Sequence, residues 1–426
     1  MGMQHTCRIK RTYAAPASKT AGPLALLFNT IVGASCFLLM FQLYLIAPLL
    51  PGYVTAFRSP LMEMAIPAFA IPFAISAMGM AFFRALIKQP NRCLSFSLYA
   101  MAVGALLLSG AGSAESFLLV RALTGLATGI MLPAAIVAVT RQSNKAMALR
   151  SMITLIFFMA TGMVFGPCIG GWLNKIIGWP YLYRFIAFVS AGLWFMHLWC
   201  SKAHIPTAHK STAVHEQLPL HIVRQVQYTY AFTFLSGMFH SGVFVWVSVY
   251  FHSVYQISEA ETANALLVFG LPGLIITILM FVYHWDTKVI RLLYWGLIVT
   301  IAGLFIMLLH VPLWMAECLL ALMSVGYCFS QPLFIGVLKL PVSGIAAGRL
   351  IALGCAALFA GYGIGPLLMG WLLNTGQHIA TGSLIVMAIV LAVLSAKVWQ
   401  PAEIQQRRRL FYARNSTGQV TTSTVA

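Results

Sequence analysis

The sequence predicts an all-α polytopic membrane protein, with twelve transmembrane helices in two pseudo-symmetric six-helix bundles. Three observations carry that expectation. Of the 426 residues, 60% are hydrophobic and only 8% are charged, against roughly 45–50% and about 25% in soluble domains. Twelve apolar windows approach or exceed the length of about 20 residues that a helix needs to cross the hydrocarbon core. The second half of the chain also repeats part of the first, with Gly162 falling on Gly361 in one ungapped register. A water-soluble enzyme, a secreted disulfide scaffold and a disordered chain are excluded by composition alone.

Residues 1–22 form a polar, basic tail carrying Arg8, Lys10, Arg11 and Lys19. The apolar run that follows is too long for the core of a cleaved signal peptide, so it reads as a retained first span. The twelve windows are 23–52, 61–83, 93–112, 117–140, 151–174, 181–200, 226–252, 263–284, 292–311, 313–336, 349–374 and 378–398. Residues 201–225 make the longest polar stretch between spans. They divide an amino-terminal bundle, 23–200, from a carboxy-terminal bundle, 226–399, and a polar tail, 400–426, follows. This tail is expected to be disordered and to touch anionic lipid through Arg407, Arg408 and Arg409.

The net charge of +18 would suggest nucleic acid in a soluble chain. Here all but four of the 26 cations fall on one set of alternating loops and tails, which the positive-inside rule places in the cytoplasm together with both termini. Arg58, Lys175 and Arg184 fall on the other side, and Arg121 lies within a span. No nucleic-acid partner is expected, and the lipid bilayer accounts for the charge pattern. The linker histidines His204, His209, His215 and His221 have no metal-ligand spacing, and the eight cysteines show neither ligand spacing nor a disulfide framework. No metal and no cofactor are expected, and no nucleophile, paired carboxylates or phosphate loop marks the chain as an enzyme.

The repeat spans the fourth and fifth windows. Ala122, Leu123, Pro133, Ala148 and Arg150 fall on Ala321, Leu322, Pro332, Ala347 and Arg349. Gly162, Gly166, Pro167, Gly171, Trp172 and Leu173 fall on Gly361, Gly365, Pro366, Gly370, Trp371 and Leu372. Two parallel halves related along the membrane normal leave a site between them near the midplane, and rocking the halves exposes it to each side in turn. Glycines four residues apart let a neighbouring helix approach closely, and Gly166-Pro167 weakens the helix at its middle. Such a face is a candidate gating seam, although small-residue faces also pack static bundles.

On these residues the sequence resembles the major facilitator superfamily, and within it the twelve-span drug:proton antiporter-like branch. Arg121, Gly125 and Gly129 are similar to that family's R-x-x-x-G-x-x-x-G motif. Gly162, Gly166, Pro167, Gly170 and Gly171 resemble its fifth-span antiporter motif, which in the family is typical of exporters. The loop motif after the second span is only partly matched: Gly79, Arg84 and Lys88 fit, but Phe83 stands where the family has Asp and Leu86 where it has Gly. The first span lacks the membrane-embedded carboxylate of many multidrug antiporters.

A charge inside a span is costly and marks a functional candidate, so Arg121 is singled out; snorkelling, or a pair with Glu115 or Glu63, is the structural alternative. Glu63, Glu317 and His240 are the proton-coupling candidates, each with a bland alternative as an interfacial or packing residue. The resemblance implies a cavity drawn from the first, fourth, seventh and tenth spans, with Asn29, Gln42, Tyr44, Thr124, His240, Tyr327 and Gln331 as its polar and aromatic lining. The expected function is secondary active transport in a cell or inner membrane, with a small organic molecule or drug leaving against proton entry. An uptake symporter or facilitator for a small metabolite, and a non-transporting receptor on the same fold, are the alternatives.

Overall fold

The computed structural model describes residues 23–141, 145–203, 220–282, 289–328 and 344–418, and among them nearly every residue is helical. The helices are α1 (Pro23–Tyr44), α2 (Ile46–Phe57), α3 (Pro67–Phe82), α4 (Arg84–Lys88), α5 (Pro90–Leu108), α6 (Ala114–Thr128), α7 (Met131–Thr140), α8 (Lys145–Ile177), α9 (Trp179–Ala203), α10 (Leu220–Tyr255), α11 (Glu259–Val282), α12 (Val289–Met307), α13 (Leu313–Cys328), α14 (Gly344–Thr375) and α15 (Gln377–Gly418). Among the described residues nine helical segments are long and apolar enough to cross a membrane, and Ile46–Phe57, Glu261–Ile276, Leu293–Met307 and Leu313–Val325 are shorter. The protein is therefore an all-α polytopic membrane protein. The last helix runs on to Gly418, past its apolar stretch near 398.

Local chemistry explains where the helices stop. The first span is interrupted at Leu45, between α1 and α2, three residues before Pro48, whose ring cannot donate to the carbonyl of Tyr44. A 3-10 turn, Pro60–Ala65, opens the second span and is capped by the Ser59 hydroxyl, which accepts from the Leu61 amide at 3.3 Å. The Ser113 and Ser116 side chains accept from each other's amides at 3.2 Å and start α6. Gly178, at φ +77°, turns the chain from α8 into α9.

The packing sorts into two sets of helices. The two most extensive contacts within them are α8 on α1 and α14 on α10, and they are copies of one another. Gly162 faces the Phe37 carbonyl and Gly166 the backbone of Phe41; in the second set Gly361 faces the Phe234 carbonyl and Gly365 that of Met238. The repeated glycines thus seat the fifth and eleventh spans against the first and seventh, inside their own sets. Gly170 continues the face against Leu45, whereas Gly370 meets nothing within 4 Å. Between the sets, α3 packs on α14 and α8 on α11. Phe73 stacks on Phe359 with ring centroids 3.7 Å apart, Gly363 lies against Ile71, and Gly348 lies against Ile87. On the α8–α11 side Gly270 meets Val164, and Gly171 meets Ala263 at 3.4 Å. The sets therefore touch both near the α3–α4 end and near the opposite end.

A methyl group at Gly361 or Gly365 has to displace backbone, whereas one at Gly370 has open space. Gly361→Ala and Gly365→Ala are expected to destabilise the protein by about 1–3 kcal/mol. Thermal unfolding of the detergent-solubilised protein checks this, with Gly370→Ala unchanged as the control. Equal melting temperatures for all three would show that close approach at this seam does not limit stability.

Candidate functional site

Between the two sets lies a small space of about 10 Å³, lined by Leu43, Tyr44, Ala47, Ile66, Ser241, Phe244 and Tyr362. Its lining comes from α1, α2 and the start of the second span on one side, and from α10 and α14 on the other. That is about the room of one water, well below the roughly 300–1,000 Å³ of a ligand site, so the two walls pack together here without space for a substrate. Tyr44 and His240 bridge the sets directly, sharing a 2.7 Å hydrogen bond between the phenol and Nδ1. Around that bond an aromatic cage closes: Tyr44 packs edge-on to Phe244 at 4.9 Å and to Tyr362 at 5.8 Å, and the His240 ring lies 5.0 Å from Phe244 and 6.1 Å from Phe269.

Arg121 stands one layer behind this wall, and its side chain is fully buried. The glycines that follow it explain how: Gly125 and Gly129 bring α6 onto the carbonyls of Phe69 and Phe73 in α3, close enough for the guanidinium to reach past them. Its Nε donates to the Ala65 carbonyl at 3.1 Å and its Nη1 to the Gln42 carbonyl at 3.3 Å. The guanidinium also sits over the Phe69 ring at 4.9 Å. Both carbonyls lie at helix interruptions. The Phe69 amide bonds to Ile66 rather than to Ala65, and Gln42 lies just before the break at Leu45. Arg121 therefore satisfies main-chain acceptors of the first and second spans, and neither Glu63 nor Glu115 pairs with it; both are exposed.

The other expected site residues divide cleanly. Tyr44, His240, Gln42 and Arg121 come together at the centre. Gln42 is fully buried, and its carboxamide has no hydrogen-bond partner. Asn29 is buried lower on α1. Thr124 faces Gly104 of the third span and donates to the Val120 carbonyl at 2.7 Å, away from the central cavity. Glu317 is half-buried near the start of α13. Gln331 lies outside the described residues, as does the side chain of Tyr327. Phe244, Phe269 and Tyr362 were not singled out from sequence, because an aromatic residue in an apolar span carries no mark of which face it takes. The same holds for Tyr53 and Tyr183, buried beside Arg121. The only signal available was their placement one turn from residues already singled out: Phe244 follows His240 by four positions.

A sequence model of the Major Facilitator Superfamily matches residues 32–342. The chain belongs to this superfamily. The crystal structure of the human organic anion transporter MFSD10 (TETRAN) superposes with a TM-score of 0.70 at 14% identity, covering 88% of this chain and 100% of that one. That likeness is one of fold. No curated protein matches this chain in sequence. As a member of the superfamily the protein is a multi-pass membrane transporter, acting on a small molecule within the bilayer.

Removing Arg121 leaves two main-chain carbonyls without their donor, at about 1–3 kcal/mol each. Arg121→Met is expected to lower the melting temperature well below that of Glu63→Gln, which alters an exposed side chain. Fluorescence-detected size-exclusion after heating measures both.

Proposed function

We propose that the protein is a proton-coupled exporter of a small organic molecule, working by alternating access on twelve spans arranged as six and six, in a cell or inner membrane with both termini and the 201–225 linker cytoplasmic. The observation that carries the reading is the central aromatic space whose two walls belong to different helix sets and are tied by the Tyr44–His240 hydrogen bond. A bond between the sets, Tyr44 to His240, is made in the closed form and lost when the halves part. His240 is the titratable group at that bond, and it can take a proton once the halves part and water reaches it. With the proton on Nε2 a neutral ring accepts from the Tyr44 hydroxyl through Nδ1; a protonated ring has no acceptor lone pair there, so closing the halves over it requires the bond to reverse, with Nδ1–H donating to the Tyr44 oxygen. Glu63, Glu115 and Glu261 are exposed and Glu317 only half-buried, which makes His240 the stronger coupling candidate. The resemblance of the fifth-span motif to exporters supports the outward direction, and the glycine faces of α8 and α14 hold each set together as it moves.

The buried Arg121 with no acid beside it gives the centre a positive sense, and the fold relative carries organic anions. Both support neutral, amphipathic or anionic solutes rather than dications. The absence of a buried carboxylate among the described residues favours one further reading, an uncoupled facilitator.

Accumulation of a panel of fluorescent and antibiotic compounds in a pump-deficient host separates these readings. Export predicts lower accumulation that a protonophore restores. His240→Gln, checked for surface expression, is expected to cut export at least tenfold and to remove its dependence on the proton gradient. Efflux that survives the protonophore supports the facilitator, and raised accumulation of any compound reverses the direction.

A further inference from the structure

Two histidines from different helices meet at one end of the second set. His310 stands in the loop between α12 and α13, and His378 is the second residue of α15. This is the end away from α4, because α14 starts beside Ile87 and finishes at Thr375, just before His378. The two ring centroids lie 5.3 Å apart with their planes at 69°, and both residues are exposed. The end of α10 holds each of them in place. The Tyr250 and Tyr255 hydroxyls donate to the Met307 and Val311 carbonyls at 3.0 and 2.7 Å, on either side of His310. Gln377 Nε2 donates to Ser253 Oγ at 2.6 Å, one residue before His378. The imidazoles are therefore set against each other by backbone that is already fixed.

Ring packing alone does not account for His310. Its backbone sits at φ +52°, in the left-handed region that glycine or asparagine usually takes at a helix end. A bulkier residue held there carries strain of the kind that clusters at binding positions. The separation of the rings also suits a metal. A cation about 2.0–2.1 Å from one nitrogen of each of two imidazoles, at a tetrahedral angle, puts the ring centroids about 5.2 Å apart. Imidazole suits nickel, copper(II) and zinc, whereas magnesium and calcium take oxygen ligands. No third His, Cys, Asp or Glu among the described residues joins the pair, so water fills the remaining positions. The start of α15 opposes a cation and the end of α12 favours one, so the helix ends offset each other. Ligand spacing in the sequence could not show the pair, because its members lie on distant segments.

We propose that His310 and His378 form a two-histidine site for a zinc-class divalent cation, which clips the loop after α12 to the start of α15. One nitrogen lone pair of each neutral ring binds the metal, and water completes its coordination. On the topology proposed above the site faces the non-cytoplasmic side. It lies apart from the central space between the sets and does not depend on the exporter reading.

The test uses the full-length protein in detergent, purified through a tag without histidine, and titrated with Zn²⁺ by calorimetry in a buffer that does not chelate. The variants are His310→Asn, which tolerates the left-handed backbone, and His378→Gln. Both change exposed side chains, so their metal-free melting temperatures are expected to match that of the wild type. Each is expected to weaken one Zn²⁺ site about tenfold or more. Zinc held by other histidines persists in every variant, so the signature is one site lost from each single variant and no further site lost from the double. Mg²⁺ in excess is expected to leave the titration unchanged. An undiminished site in either single variant, losses that add in the double, or competition by Mg²⁺ each overturns the shared site.

Discussion

A main-chain carbonyl released from a helix inside hydrocarbon has no water to turn to, so the protein must supply a donor. Arg121 is that donor for the first and second spans, holding Gln42 at 3.3 Å and Ala65 at 3.1 Å. The arrangement allows the helices to be interrupted where they border the central cavity, at Leu45 and at the 3-10 turn before Pro67. Unbroken helices would present only side chains to that space. With the guanidinium in place, the same spans can bend around it.

The reach of Arg121 depends in turn on small residues. Lipid offers no hydrophobic drive for one helix to leave it for another, so close packing has to come from shape. Gly125 and Gly129 bring α6 against α3, and the repeated glycines bring α8 against α1 and α14 against α10. The duplicated faces lie inside the two helix sets, which makes each set a firm body. The contacts between the sets use different material: the stacked Phe73 and Phe359, Ile71, Ile87, Val164 and Ala263. Rigid sets joined through apolar surfaces are what a rocking carrier requires, since the surfaces can part without stranding polar groups.

A polar contact at that interface is the 2.7 Å bond between Tyr44 and His240. It sits at the centre of the interface, which is why the proposed proton coupling is placed at His240. The composition leaves few other choices: eight acids in 426 residues, with the described ones at exposed or half-buried positions.

Much of this protein was readable from its sequence. Membrane residence, the all-helical character and the duplicated glycine face follow from composition, periodicity and spacing, which are local properties. Arg121, Gln42, Tyr44 and His240 were visible as well, because a polar residue in an apolar run stands out wherever it lies. What the tertiary structure decided was partnership. That Arg121 holds carbonyls rather than an acid, that Thr124 turns to the third span, and that the repeated glycines serve each set internally all depend on which helix lies alongside. The aromatic residues were invisible for the same reason: Tyr53, Tyr183, Phe244 and Tyr362 look like any other apolar filling until their neighbours are known. Sequence determines what a helix can bury, but only the packing of distant segments decides what each buried group meets.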